Sequence, residues 1–333
     1  MPTVGQTFLT LADLYKRTDT KGVVQDIIEL MAETNPILDD AIVKECNEGA
    51  THLTTMRTGL PSATFRKLYK GTQPSKSTTK QVRDTVGMAE AWSEVDAKLI
   101  ELAGADGRKV RLTEATAFIE ALNQAMAQRI FYGNTVTDPE EFLGLSPRFS
   151  SLGAENGSQI IDAGGTGSDN TSIWFTVWGD RTLHLLYPKG SKAGITREDK
   201  GKQTRQDDEG GLYDVYREKF GWDIGLSVRD WRYVVRIANV PLNKLQDNSL
   251  DLYGLMRKAF YKLHQRKITG GRAAIYCNAD VLECLDALAT NAGSKDNFVR
   301  LTPQQIEGKE VLTYRGIPIR ETDALLNTEA RVV

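Results

Sequence analysis

Two hydrophobic periods, kept in separate stretches of the chain, predict an α+β fold. Residues 113–132 carry Ile119, Leu122, Met126 and Ile130 at helical spacing with alanines between them, the pattern of one amphipathic helix. Residues 213–240 instead alternate, with Phe220, Trp222, Ile224, Leu226 and Val228 separated by small or polar residues, as half-buried strands require. Residues 241–333 then switch between short helical and short strand patterns. Helices and antiparallel strands in blocks, rather than in strict alternation, define the class.

A chain of 333 residues exceeds what one small core organises, so two or three structural units are expected. Apolar residues at 40% and charged ones at 26% exclude a wholly disordered chain. No run of eighteen uncharged apolar residues occurs, so no membrane span is expected. The first residues, Met-Pro-Thr-Val-Gly-Gln-Thr-Phe, lack a cationic region before an apolar core, so no secretory signal is expected either. A net charge of -2 argues against general coating of nucleic acid by phosphate neutralisation. Cys46, Cys277 and Cys284 are too few and odd in number for a disulfide framework, which reads as an intracellular chain with buried thiols. His52, His184 and His264 stand far apart, so no metal site and no cofactor are expected.

Catalytic motifs are absent. There is no phosphate loop, no His-Glu-x-x-His and no Gly-x-Ser-x-Gly. The glycine-rich stretch from Gly164 to Asn170 has neither a strand leading into it nor a helix leaving it, and reads as a surface connection. Asp207-Asp208-Glu209-Gly210-Gly211 lacks alternating ligands and a terminal glutamate, and reads as a solvated turn rather than a calcium loop.

Along the chain, residues 1–47 form an N-terminal arm, with Val24, Ile27, Ile28 and Met31 making one apolar stripe that Asn35-Pro36 stops. Residues 48–92 read as an extended β-hairpin arm. Between Gly49 and Arg83 stand seven bases, Arg57, Arg66, Lys67, Lys70, Lys76, Lys80 and Arg83, and no acid. Gly71-Thr-Gln-Pro-Ser supplies a turn signal between two β-favouring flanks, 51–60 and 78–92. An isolated ribbon of ~20 residues a side, roughly 60 Å long, is marginal in water and needs other chains to stabilise it. Phe65 and Tyr69 are too few for a single-strand stacking platform, so the seven bases are assigned to intersubunit contact with acidic patches.

Residues 93–150 hold the spine helix, starting at Thr113 and ending at Gly133-Asn134. Residues 151–240 read as a linker and long antiparallel strands. Within them 173–178 and 183–187 are the first strands, and the phase slips by one after Arg229-Asp230, which marks a bulge or tight turn. Arg232 and Arg236 fall on the opposite face, solvated or paired across a subunit boundary. In 241–333 an amphipathic helix runs from Leu252 to Leu263, capped by Asn248 or Ser249, and Asn278 opens a second helix with Leu282, Leu285 and Leu288 inward. Strands at 272–276, 311–319 and 330–333 complete the sheet.

The stretch from Ala273 to Leu288, AAIYCNADVLECLDAL, together with Tyr-Arg-Gly-Ile-Pro-Ile-Arg from Tyr314 to Arg320, carries a resemblance. It is similar to the strand–Asn–helix element and the Gly-x-Pro strand of the axial domain in major capsid proteins of tailed bacteriophages. These have the Johnson (Hong Kong phage type) capsid fold, here nearest to short-tailed phages of the epsilon-fifteen and Bordetella-phage kind. The resemblance implies an N-terminal arm at 1–47, an extended β-arm (E-loop) at 48–92, a peripheral domain at 93–150 with its long strands in 151–240, and an axial α+β domain at 241–333. The long strands precede the axial-type helices here, which implies either a rearranged connectivity or a different placement of 213–240.

Functionally, the resemblance implies a major capsid protein that self-assembles, as hexamers and pentamers, into an icosahedral shell around double-stranded DNA. The wall's near-neutral charge suits a container that does not grip its contents. A virion location, assembly in the host cytoplasm, procapsid maturation and partners such as a cementing or decoration protein, a scaffolding protein and the portal are implied in the same way. Two alternatives stand: a nanocompartment shell of the same fold, and an α+β enzyme with a dispersed site around His184, Asp180 and Asp230.

Overall fold

The computed structural model describes residues 8–17, 32–247, 249–264, 271–290, 301–306 and 309–333. The apolar stripe Val24–Met31 and the cap Asn248 lie outside these.

Short elements come first: helices α1 (Leu11–Lys16) and α2 (Ile37–Asp40) and strand β1 (Val43–Glu45). Thr10 and Asp13 cap α1 reciprocally, the Asp13 carboxylate accepting from the Thr10 N–H at 3.0 Å. Leu14 packs with Val95, Leu99 and Val110, so this piece of the N-terminal segment lies on the body. Next come β2 (Thr51–Gly59), β3 (Thr78–Asp96), α3 (Ala97–Ala103), the spine α4 (Gly107–Tyr132) and the single turn α5 (Leu145–Arg148).

The spine begins six residues before Thr113. That threonine does not cap it but bonds back inside it, its hydroxyl donating to the Lys109 carbonyl at 2.9 Å. The helix ends at Gly133 as expected but for a different reason. Gly133 is not left-handed (φ -49°). Instead a side chain there would press to 2.5 Å from the Phe142 carbonyl and 2.7 Å from that of Arg129.

Strands β4 (Ile160–Asp162), β5 (Asn170–Trp178), β6 (Leu183–Tyr187), β7 (Thr196–Gln206), β8 (Leu212–Val228) and β9 (Val234–Pro241) follow. Helices α6 (Leu242–Gln246) and α7 (Leu252–Lys262), strand β10 (Arg272–Cys277), helix α8 (Ala279–Thr290) and strands β11 (Thr302–Ile306), β12 (Lys309–Tyr314) and β13 (Ile317–Glu321) complete the described chain. The α7 cap is Asp251, which accepts from Gly254 N–H at 2.9 Å; α8 is capped by Asn278, as expected.

All thirteen strands join one hydrogen-bonded network with the path β11-β12-β13-β10-β5-β6-β8-β3-β2. Its two halves meet where β5 touches β6 through a single parallel pair, Trp178 with Leu183. In one half β5 is central, flanked by β10 and β9. In the other, β8 is central, between β3 on one side and β7 and β6 on the other.

The two strands of 213–240 do not pair with each other. After Val228 a 3-10 turn at Trp231–Tyr233 carries the chain from one half-sheet to the other, so β8 lies beside β3 whereas β9 lies beside β5. The phase slip marks a tight turn, as expected, and that turn carries the chain between the half-sheets. Residues 330–333 likewise add no strand; Val332 N–H instead donates to the Asn239 side chain at 2.7 Å.

Two cores result. Trp174 and Trp178 of β5 face α4 with Phe131, Tyr276 and Leu226, whereas Ile173, Phe175 and Val177 face α7 and α8 with Met256, Val281 and Leu285. β5 is buried along its whole length, so apolar residues stand on both its faces and strict alternation is lost in Ile173-Trp-Phe and Val177-Trp.

Candidate intersubunit surface

The absence of acids between Gly49 and Arg83 leaves the outer part of the arm without carboxylates of its own. All seven predicted bases are exposed. Arg57 stands on β2, Lys80 and Arg83 on β3, and Arg66, Lys67, Lys70 and Lys76 in the connection between them. Among the described residues only Arg83 has an ion pair, with Glu48 at 3.3 Å. The tight turn is four residues earlier than the Gly71–Ser75 signal: Lys70 N–H donates to the Lys67 carbonyl at 3.2 Å, and Tyr69 takes φ 62°.

The ribbon is also shorter than expected. β2 pairs with β3 only from Thr51–Thr85 to Gly59–Thr78. From Val86 onward β3 pairs with β8 instead, inside the body. Gly225 permits the crossing, since a side chain there would lie 2.6 Å from the Thr85 carbonyl. Every residue from Leu60 to Lys76 is exposed.

Sequence reasoning weighs Phe65 and Tyr69 only as a nucleic-acid stacking pair and gives no role to Leu60 and Leu68. Phe65 and Tyr69 are fully exposed (105% and 100%), with Leu60 and Leu68 close behind at 80% and 82%. Four large apolar side chains in a stretch with no core pattern are a legible signal, because a chain leaves such a patch in water only where a partner covers it.

The root of the arm is tied down. Asp84 is buried and its Oδ1 accepts from Arg148 at 2.7 Å, while Arg148 also donates to the Leu226 carbonyl at 3.0 Å. Beside it His52 is buried, its Nε2 2.9 Å from Arg229 Nη2 and its ring edge-on to His184 at 5.7 Å. Burial holds the His184 ring at a pKa of about 4, with the Arg229 charge adding to the effect; burial and Arg229 lower His52 as well. The arm is therefore a fixed root with a free tip.

The three residues of the dispersed-site alternative, His184, Asp180 and Asp230, are not joined to one another by hydrogen bonds among the described residues. Asp180 pairs instead with Lys44 and Asp230 with Arg232. No group of three or more potential metal ligands occurs among the described residues.

Arg236 corrects a second expectation. It is neither solvated nor at a boundary but buried, 2.8 Å from Glu329 Oε2 at 2% and 5% side-chain exposure. It also donates to the Ser172 hydroxyl at 3.0 Å and the Phe149 carbonyl at 2.8 Å, and lies over the Trp174 ring.

A two-cored body with a rooted, outward-reaching ribbon is the build of a shell subunit, one of many that hold each other. The family comparison agrees: the model for major capsid protein GP7 matches residues 19–333, and the chain belongs to that family. A chain of the bacteriophage epsilon15 structure is 36% identical, with a TM-score of 0.78 over 100% of this chain and 99% of that one. Weaker likenesses include the capsid of Myoviridae phage XM1 (12% identity, TM-score 0.43, 65% and 95% covered) and the SrpI encapsulin of Synechococcus elongatus PCC 7942 (10%, 0.44, 70% and 97%). No curated protein matches. The protein is thus a bacteriophage major capsid protein, a virion component that associates with its own kind.

Proposed function

We propose that this capsid protein acts as a non-catalytic building block whose arm, residues 48–92, lies across a neighbouring subunit during shell closure. The observation that carries this is the tip: Leu60, Phe65, Leu68 and Tyr69 are exposed beside Arg66, Lys67 and Lys70, on a ribbon rooted by Asp84–Arg148. Apolar contact supplies affinity there, and the cations supply register and long-range attraction to the acidic remainder of other copies. The run from Gly49 to Arg83 carries +7 while the whole chain carries -2, so the other 298 residues carry -9.

Each contact is modest, and the shell multiplies it by the number of closed neighbours. On this reading the copies close as hexamers and pentamers around double-stranded DNA in the host cytoplasm, the five segments keeping the roles the resemblance implies. Electron microscopy of the expressed protein tests it: closed icosahedral particles are expected. A protein that runs only as a monomer or small oligomer, under all assembly conditions tried, overturns it.

A further inference from the structure

A groove of about 910 Å³ runs along the outer side of the arm's root, between β2 and the body. One wall is β2 itself, the last strand of the sheet, whose outer edge has no strand partner among the described residues. Arg181 and the turn from Arg229 to Arg232 form the other. Arg57, Lys80 and Arg181 line the groove and form no ion pair among the described residues. Two acids also line it: Asp230 is already held by Arg232 at 2.7 Å, and Glu155 is exposed without an ion pair among the described residues, so the lining sets five cations (Arg57, Lys80, Arg181, Arg229, Arg232) against two carboxylates. Two polar atoms, one in each wall, Thr54 Oγ1 and Arg229 Nε, are buried without a hydrogen-bond partner among the described residues. Such a site calls for an anionic, hydrogen-bonding occupant.

The same chain carries one of matching chemistry. Along the β7–β8 hairpin carboxylates are cancelled: Asp199 by Arg111 at 2.8 Å, Asp214 by Lys202 at 3.1 Å, and Glu198 by Lys200. At its tip Asp207 is used by the turn, its Oδ1 accepting from the N–H groups of Glu209 at 3.0 Å and Gly211 at 2.6 Å. That leaves Asp208 and Glu209, both exposed and without an ion pair among the described residues. The two features sit at opposite ends of β3. The groove flanks the Thr78–Thr85 end, which pairs with β2, whereas the acidic turn lies beyond the Asp96–Val215 end. From Lys80, which lines the groove, to Asp96 is sixteen residues of strand, roughly 50 Å. One chain cannot join them, but head-to-tail copies can, and a heterologous contact of this kind forms a ring when its rotation closes.

We propose that the β7–β8 turn of one copy, through Asp208 and Glu209, docks in the β2-edge groove of a second copy against Arg57, Lys80 and Arg181. The proposal rests on the shell reading above. Two measurements test it.

In the first, Glu209→Cys and Arg181→Cys are combined in the full chain, where Cys46, Cys277 and Cys284 are buried. Particles are purified, oxidised with diamide and run on a non-reducing gel. A ladder of disulfide-linked chains, absent from either single variant, is expected.

The second reads particle yield. Arg57→Glu with Lys80→Glu and Arg181→Glu should lower it at least tenfold, as should Asp208→Lys with Glu209→Lys, and combining all five should restore most of it. Particles that form normally yet give no ladder overturn this contact and leave the shell reading standing. So does a folded five-fold variant that assembles no better than its parents. If the charge variants fail to fold by circular dichroism, the cysteine pair alone decides. Wild-type protein that forms no particles overturns both.

Discussion

Arg236 and Glu329 show how much rests on single residues here. Their charges are buried together with the Ser172 and Tyr132 hydroxyls, which both donate to the Glu329 carboxylate. Removing one partner strands the other charge in the core, which costs about 3–5 kcal/mol. Glu329→Gln should therefore lower the urea midpoint of the unassembled subunit sharply, and an unchanged midpoint would contradict the pairing. The thiols are inert for a related reason: burial raises Cys46 to about 11 and Cys277 to about 12, and raises Cys284 too. Native particles should show no reaction with a thiol reagent at pH 7 and no disulfide-linked chains on a non-reducing gel. His184 gives a pH signature. Above pH 6.5 its ring is neutral folded or unfolded. Between 6.5 and about 4 the unfolded chain takes up a proton that the folded ring, facing Arg229 and Lys44, refuses. Stability is thus intact above pH 6.5 and lost as pH falls, by up to about 3 kcal/mol from this group. Denaturation at pH 7.5 and 4.5 should show a smaller acid loss in His184→Leu than in wild type; equal losses would dismiss the histidine.

At the scale of elements, the arm separates from the body cleanly. Thr58–Ser77 lies beyond the buried root, and no hydrophobic core cluster includes any of its residues. Deleting it should leave a folded subunit, by circular dichroism and a cooperative melt, that forms no shells; normal particles from the deletion would remove the arm from assembly. The tip's charges act collectively. Exposed pairs are worth only ~0–1 kcal/mol each and are screened over roughly 8 Å at physiological salt. Light scattering during assembly should therefore weaken as monovalent salt rises. Reversing Arg66, Lys67 and Lys70 to glutamate should block assembly, and identical curves for the two proteins would show that the tip is only a basic loop.

For the whole molecule, the informative quantity is polarity along β3. One strand serves two masters, its first residues pairing outward with β2 and its last ones inward with β8, so that arm and body share a continuous backbone. The body half of that strand lies in the sheet on which the spine helix packs, with Phe118 and Ile119 against Phe220. The same layout sets the cationic groove and the acidic turn at opposite ends of one protomer.

The sequence by itself determined the class, the spine, the basic arm and the helix–strand alternation of the last ninety residues. Each is a local property, readable because periodicity and charge runs repeat within a window of neighbours. Only the tertiary structure decided where β8 and β9 go, because alternation says that a strand is half-buried and never which strand lies beside it. It also decided that β3 leaves the hairpin at Val86, that Arg236 is a core residue held by Glu329 some ninety positions away, and that Thr113 sits inside its helix rather than at its start. The last sixty residues resembled a family because strand, cap and helix lie there in sequence order. The groove left no such trace: its cations come from β2, β3 and two distant turns, and they become one surface only when the sheet sets them side by side.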